Sequence, residues 1–406
     1  MSTLSLSNQV DELLAEGFEA ARNREQEAFD LLAGPHGDDI VLFGAGGLGR
    51  RTVEKLRRHG IEPRAFADNN RALWGSRVSD VPVMSPEEAA REFGKTSVFV
   101  VTIWGGKRTP TIEDRMDERI AALHALGCER VVPFAFLYWK YPQGVLPYYS
   151  VDLPHKVHEQ AEEVRAAFAL WADEPSRLEY VNQLRWRLHL DFAGLAEPVS
   201  YPIYFPKHLC PIRTDEVFID CGAYDGDTVE LFVEETGGAF KKIIALEPDP
   251  ANFAKLRETC KDLLQDAGRM TAYPLATGAR NERLYLLADG SDAARIAGSA
   301  DAGVVEVESV ALDDFLADTV PTYVKMDIEG SEVATLTGMK RIIREQEPVL
   351  AICTYHLQND LWKIPLLIHS INPNYRFFLH PHKLEVWDLV CYAIPRHRLA
   401  SDFPAT

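Results

Sequence analysis

The residues with the most chemistry to offer fall at the ends of apolar runs. Val217-Phe-Ile-Asp220 ends in a carboxylate and leads into Cys221-Gly222-Ala-Tyr-Asp-Gly226-Asp, a turn with two glycines. Lys242-Ile-Ile-Ala-Leu is followed by Glu247, Thr322-Tyr-Val-Lys-Met by Asp327 and Glu329, and the apolar run over 348–354 by Tyr355-His356. Glycines let a backbone approach a ligand with no Cβ in the way. The spacing Asp220-x-Gly222-x-x-x-Gly226 is not the Gly-x-Gly-x-x-Gly of a dinucleotide turn, which cradles a pyrophosphate on a helix N-terminus. Asp220, Asp225 and Asp227 would repel that phosphate. They suit a ligand with a cationic part, such as the ammonium and sulfonium of S-adenosylmethionine. Glu247, as an ionised carboxylate, only accepts hydrogen bonds and can take both hydroxyls of a ribose. The plainer alternative is a strand–turn–helix whose acids cap the helix, with Asp227 as N-cap. Two acids at successive strand ends, with glycines between them, are far more specific than either alone.

Asp327 and Glu329 would be costly if buried without partners. A purely structural account has Glu329 cap the next helix and Asp327 accept backbone amides, but the end of a central strand is where open α/β sheets do chemistry. His356 leaves a buried run at the same edge. An imidazole with an unperturbed pKa of about 6.5 suits proton removal from an alcohol during methyl transfer. The sequence therefore nominates His356 as general base, with Asp327 beside it at the acceptor and Asp360 as a group that could orient the ring. His356 and Asp360 also have an i,i+4 metal-ligand spacing, but no third ligand of matching spacing accompanies them, so no metal is expected.

These residues need a parallel sheet to bring them together. After the first turn, residues 228–235 have helical spacing, with Val229, Phe232 and Val233 on one face. Pro248 and Pro250 stop the second strand, and a helix starts at Asp249 or Asn252. Residues 271–278 read as a third strand and turn. In such a sheet that turn lies beside an adenine, which makes Ala276 and Thr277 cofactor candidates. Residues 284–287 and 305–310 read as short strands around a Gly/Ala/Ser/Asp-rich loop over 288–303. A helix is expected over 331–345 and another over 361–371. Residues 375–379 and 388–394 read as an antiparallel pair closing five parallel strands. The segment Tyr201-Pro-Ile-Tyr-Phe-Pro is expected to lie over the cofactor cleft.

A second α/β unit precedes this one. Residues 7–32 read as an amphipathic helix. Ile40-Val-Leu-Phe leads into Gly44-Ala-Gly46-Gly-Leu-Gly49, a true Gly-x-Gly-x-x-Gly, then a helix over 48–59 and a strand over 61–67 ending at Asp68, at the ribose-binding position of a dinucleotide fold. Ser85 reads as the N-cap of a helix with Pro86 at its first position. A strand over 97–104 and a helix over 112–126 follow. The glycine turn with Gly44, Gly46, Gly49 and Asp68 is a candidate site for a nucleotide or nucleotide sugar, then for NAD(P); packing alone is the bland alternative. The Tyr-x-x-x-Lys pair of a short-chain dehydrogenase or epimerase is absent from the chain. An aromatic, proline-containing linker and a helical pair over 141–200 join the two units.

At 406 residues the chain has room for two or three domains. A formal net charge of −18 argues against a nucleic-acid surface. Six scattered cysteines with no Cys-x-x-Cys predict buried free thiols in a reducing compartment. No signal-peptide core and no run of membrane-spanning length is seen, so a cytoplasmic protein without a membrane span is expected.

Phe218-Ile-Asp-Cys-Gly-Ala-Tyr-Asp-Gly-Asp-Thr, Leu246-Glu-Pro-Asp-Pro-Ala-Asn-Phe, Val324-Lys-Met-Asp-Ile-Glu-Gly-Ser-Glu and Tyr355-His together resemble the FkbM-type S-adenosylmethionine-dependent methyltransferases. The resemblance spans about residues 200–395, and the Asp-Ile-Glu-Gly-Ser-Glu stretch is its most specific part. It implies a class I methyltransferase sheet and O-methylation of a sugar, glycan precursor or natural product. The cofactor site would comprise Asp220, Gly222, Tyr224, Gly226, Glu247, Pro248, Ala276 and Asp327. The expected organisation is an N-terminal helix over 1–35, a smaller Rossmann-like unit over 36–140, a linker and helical bridge over 141–200, and the methyltransferase unit over 201–406. A nucleotide-sugar oxidoreductase or epimerase using the first glycine turn, and a non-catalytic scaffold in a glycan pathway, are the alternatives from other classes. Self-association is left open.

Overall fold

Three sheets take up the apolar runs of the sequence in a computed structural model that describes residues 5–105, 114–265, 268–287, 295–297 and 304–401. Internal contacts divide the chain into two units: Met1–Ala161 with Val181–Pro198 and Lys383–Trp387, and Glu162–Tyr180 with Val199–His382 and Asp388–Thr406. The division falls inside the helix Glu174–His189.

The first unit is built on strands β1 (Ile40–Phe43), β2 (Ala65–Ala67), β3 (Arg77–Val78), β4 (Val81–Met84), β5 (Val98–Val101) and β6 (Arg130–Pro133), in the order β3-β4-β2-β1-β5-β6. All neighbours are parallel except β3 with β4. β1 and β5 are buried at every residue, as parallel strands covered on both faces must be. Ser85 caps the helix Pro86–Phe93 through a capping box with Glu88. The single helix expected over 7–32 is two, Leu6–Ala15 and Phe18–Ala33. Gly17, with φ 82°, breaks it, because glycine adopts that conformation at little cost. The second strand is only three residues long, since Pro63 lies in the stretch before it.

The second unit carries β7 (Val217–Cys221), β8 (Lys242–Leu246), β9 (Met270–Tyr273), β10 (Leu275–Thr277), β11 (Glu282–Leu287), β12 (Arg295–Ala297), β13 (Val304–Val310), β14 (Tyr323–Met326), β15 (Val349–Cys353), β16 (Tyr375–Pro381) and β17 (Leu389–Pro395). Its main sheet has the order β16-β17-β15-β14-β7-β8-β9. The five strands from β9 to β15 are parallel, and β17 runs antiparallel between β15 and β16. The hairpin inferred from residues 375–394 is thus present. The strand expected over 271–278 is split: β9 joins the main sheet, while β10 joins a small sheet of order β10-β13-β11-β12. The helix expected over 331–345 is also split, into Glu332–Thr337 and Lys340–Glu345. At Gly338, a Cβ would lie 2.1 Å from the Gly278 carbonyl oxygen. The loop expected over 288–303 falls mostly outside the described residues, although Arg295–Ala297 is a strand. All six cysteines are buried and free. No helix among the described residues is long and apolar enough to cross a membrane.

Candidate active site

β7 and β14 are neighbours in register, with Lys325 opposite Asp220 and Met326 opposite Cys221. That pairing brings the two sequence motifs into contact. The Asp327 amide donates to the Cys221 carbonyl at 3.1 Å, and a Cβ on Gly222 would lie 1.9 Å from the Asp327 carbonyl oxygen. Gly222 and Gly226 have φ of 78° and 95°, so the turn requires glycine at both for backbone reasons as well as for space. Gly226, not Asp227, is the N-cap of the helix Asp227–Thr236; Asp227 is its first residue and accepts from the Thr228 amide.

Asp220 stands at the predicted strand end, but its carboxylate is fully buried and ion-paired with Lys325 Nζ at 3.0 Å. Lys325 also donates to the Gly222 carbonyl at 2.6 Å. Burial raises the Asp220 carboxyl to about 6 against the pull of Lys325. Burial alone would lower the Lys325 ammonium; Asp220 and Asp327 outweigh it and hold it raised. The pair is therefore ionised at neutral pH and braces the turn from behind. This corrects the expectation that Asp220 meets a ligand directly.

Glu247 follows β8 and is 5% exposed. Its Oε2 accepts from the Tyr224 amide at 2.9 Å and its Oε1 from the Asp249 amide at 2.8 Å. Each oxygen keeps a further lone pair for a hydroxyl. Burial pushes this carboxyl up to about 7, against those two amide bonds. Tyr224, with φ 47°, and Pro248 are half-buried beside it. Ala276 and Thr277 lie in the small sheet, and Thr277 Oγ1 shares a hydrogen bond with Thr335 at 2.9 Å. The Gly222–Gly226 turn, Glu247 and Pro248 thus fit an adenosyl ligand with a ribose.

The carboxyl ends of β14 and β15 carry a charge cluster. His356 Nε2 lies 3.2 Å from Asp327 Oδ1 and 3.4 Å from Glu329 Oε1. His356 Nδ1 lies 2.8 Å from Oε1 of Glu332, a fully buried side chain in the first turn of its helix. Glu332, not Asp360, orients the ring; Asp360 Oδ2 accepts from the Leu357 amide instead. Asp327 accepts from the Tyr204 hydroxyl at 2.9 Å and the Tyr355 hydroxyl at 3.2 Å. Burial would raise Asp327, but His356, Lys325 and Tyr204 hold it below the usual carboxylate range. Burial would lower His356, but Glu332, Glu329 and Asp327 hold it well above its ordinary value. The neutral imidazole assumed from the sequence is thus not the form these carboxylates favour. Asp327, Glu329 and His356 have potential ligand atoms within 4.8 Å of one another, a grouping that could hold a metal ion and that the His356/Asp360 spacing did not disclose.

Four residues had no role from sequence. Lys325 was legible as a lone cation inside an apolar strand. Glu332 was legible as the last acid of Asp-Ile-Glu-Gly-Ser-Glu. Tyr204 lay in a segment placed over the cleft without being singled out, and Tyr355 was only the neighbour of His356.

In the first unit, the Gly44–Gly49 turn precedes the helix Gly47–Arg58. A Cβ on Gly49 would lie 2.0 Å from the Gly44 carbonyl oxygen, whereas one on Gly46 or Gly47 meets nothing within 4 Å. Asp68 Oδ2 accepts from the Ala45 amide and Oδ1 from the Asn70 amide, both at 2.7 Å.

The strand order, with the glycine turn at its centre and acids along one edge, is that of a class I methyltransferase sheet. Residues 220–383 match the family model of the methyltransferase FkbM domain, so the chain carries an FkbM methyltransferase domain and is an S-adenosylmethionine-dependent methyltransferase. The fold is similar to the crystal structure of methyltransferase FkbM from Methylobacillus flagellatus, with a TM-score of 0.71 at 24% identity; the match covers 94% of this chain and 99% of that one. It therefore extends well beyond the family segment. A weaker likeness, with a TM-score of 0.30 at 10% identity, covers 47% of this chain and 72% of Aeropyrum pernix fibrillarin in complex with S-adenosyl-L-methionine. No curated protein matches significantly.

Proposed function

We propose that this methyltransferase acts on a hydroxyl of a sugar, glycan precursor or other small natural product. The observation that carries the reading is the direct packing of Asp327 on Gly222, which joins a hydroxyl-handling cluster to the cofactor turn. When bound, S-adenosylmethionine supplies a methyl group already activated on a sulfonium. Glu247 takes the ribose hydroxyls; Pro248, Tyr224 and the Gly222–Gly226 turn line the adenosyl and methionine ends, with Lys325 and Asp220 keeping that turn in place. Asp327 and His356, with Glu329, hold the acceptor hydroxyl, and its proton leaves to the carboxylates of that cluster. Positioning then accounts for most of the rate, since the oxygen has only to be aligned with the methyl carbon. A formal charge of −18 favours a small or glycan acceptor over nucleic acid.

The test is transfer of labelled methyl from S-adenosylmethionine to hydroxylated sugars and nucleotide sugars, with calorimetry of S-adenosylhomocysteine alongside. Glu247→Ala is expected to weaken that ligand by about 1–3 kcal/mol. A wild-type protein that gives no heat with millimolar S-adenosylhomocysteine would overturn the reading. A second ligand, a nucleotide or nucleotide sugar or else NAD(P), is proposed for the first unit. It rests on the open space at Gly46 and Gly47 before a helix N-terminus.

A further inference from the structure

We infer that Asp327, Glu329 and His356 bind a divalent cation, Mg²⁺ or Mn²⁺, that holds the acceptor hydroxyl. The donor set comes from the ends of two adjacent parallel strands, β14 and β15, with Asp327 and Glu329 following the first and His356 the second. Two donors about 2.1 Å from one such ion, at right angles, are about 3 Å apart. The measured separations from His356 Nε2, 3.2 Å to Asp327 and 3.4 Å to Glu329, lie close to that. An imidazole with two carboxylates suits ions that accept mixed nitrogen and oxygen ligands.

Groups outside the donor set favour an ion over a plain ion-pair cluster. A metal-ligating histidine ordinarily gives its second ring nitrogen to a carboxylate or carbonyl, which fixes tautomer and ring orientation. Glu332 stands in that position, fully buried and 2.8 Å from Nδ1. Its Oε2 is buried and has no hydrogen-bond donor among the described residues. Ligating carboxylates are likewise hydrogen-bonded from outside, and Tyr204 and Tyr355 donate to the two oxygens of Asp327. Three carboxylates, those of Asp327, Glu329 and Glu332, face the His356 imidazole from both of its ring nitrogens. Coordination would orient an acceptor oxygen and make its proton easier to lose.

The role in methyl transfer rests on the function proposed above, but binding of the ion does not, so the two are tested separately. The full chain is stripped with chelator and titrated with Mn²⁺ alone, followed by the loss of the free-ion electron paramagnetic resonance signal. S-adenosylhomocysteine calorimetry is run on the same preparations in chelator. One saturable Mn²⁺ per chain is expected, with nitrogen modulation from His356 in the electron spin echo. Glu329→Gln and His356→Gln should each weaken Mn²⁺ by about tenfold or more, and Glu332→Gln by about 10–100-fold. S-adenosylhomocysteine binding by Glu329→Gln should stay at the wild-type level and so report an intact fold. Saturable binding that is unchanged in these variants, binding without nitrogen modulation, or no binding at millimolar Mn²⁺ would each overturn the inference and leave an imidazolium ion-pair cluster. Mn²⁺ binding in a protein that takes no S-adenosylhomocysteine would instead count against the methyl-transfer reading alone.

Discussion

At the scale of the residue, Lys325 and His356 act through the charges that surround them. Lys325 is buried between the Asp220 carboxylate and the Gly222 carbonyl. Lys325→Met leaves Asp220 as an uncompensated buried charge, which costs about 3–5 kcal/mol. Denaturant unfolding measures the loss, and the double variant Lys325→Met/Asp220→Leu should recover most of it. A single variant as stable as wild type would show that the pair braces nothing. His356 stands in the cluster with Asp327, Glu329 and Glu332, whereas Glu247 bonds the Tyr224 and Asp249 amides. His356→Ala is expected to cut methyl transfer by about 10²–10⁴-fold, the usual share of proton handling, while S-adenosylhomocysteine affinity holds. Wild-type turnover in that variant would make the histidine purely structural.

Among the elements, the two glycine turns separate packing from ligand approach. In the first unit, Gly49 touches the Gly44 carbonyl, whereas Gly46 faces open space. Gly49→Ala must displace backbone and is expected to cost about 1–3 kcal/mol. Gly46→Val keeps an ordinary φ of −73° and should stay within about 0.5 kcal/mol of wild type. Thermal unfolding of the two variants checks the contrast; equal losses would contradict it. If the turn takes a nucleotide, Gly46→Val abolishes that binding and spares S-adenosylhomocysteine. In the second unit no such contrast exists, because Gly222 and Gly226 both have positive φ and close neighbours.

For the whole molecule, buried acids set a pH dependence. Glu247 is pushed up to about 7 by burial against its two amide bonds, and Glu385 to about 7 by burial against the Met116 amide and Arg119. An exposed glutamate in the unfolded chain titrates at about 4.3. Between those values the folded protein holds more protons than the unfolded one, so these groups stabilise fully below about 4.3 and lose their contribution as pH rises through about 7. Burial lowers His189, His380 and His382, which act with the opposite sign over the same window, so the readout is a difference: the thermal midpoint of wild type relative to Glu247→Gln should decline as pH rises from about 4.3 to about 7. Ribose hydroxyls donate to the ionised carboxylate, which lowers its pKa and releases a proton on binding. Calorimetry of S-adenosylhomocysteine near pH 7 in two buffers of different ionisation enthalpy reads that proton. Identical heats in both would rule out Glu247 as the ribose group.

The sequence by itself determined which segments become buried parallel strands, because runs such as Val217–Cys221 and Val349–Cys353 are apolar at nearly every position and have one state that hides them. It also determined that acids and glycines follow those strands. Turn chemistry was only partly legible: Gly226 rather than Asp227 caps its helix and Gly17 divides one expected helix, both with positive φ, while Gly338 divides another where the Gly278 carbonyl leaves no room for a Cβ. What each acid does was decided by tertiary structure. Asp220 and Glu247 look equivalent in sequence, yet register sets Lys325 against the first and backbone amides against the second. Neighbours from other strands and helices fix charge and burial, and no local pattern encodes them. For the same reason the partner of His356 is Glu332 across the fold rather than Asp360 along the chain, and the ligand set with Asp327 and Glu329 exists only once β14 and β15 lie side by side.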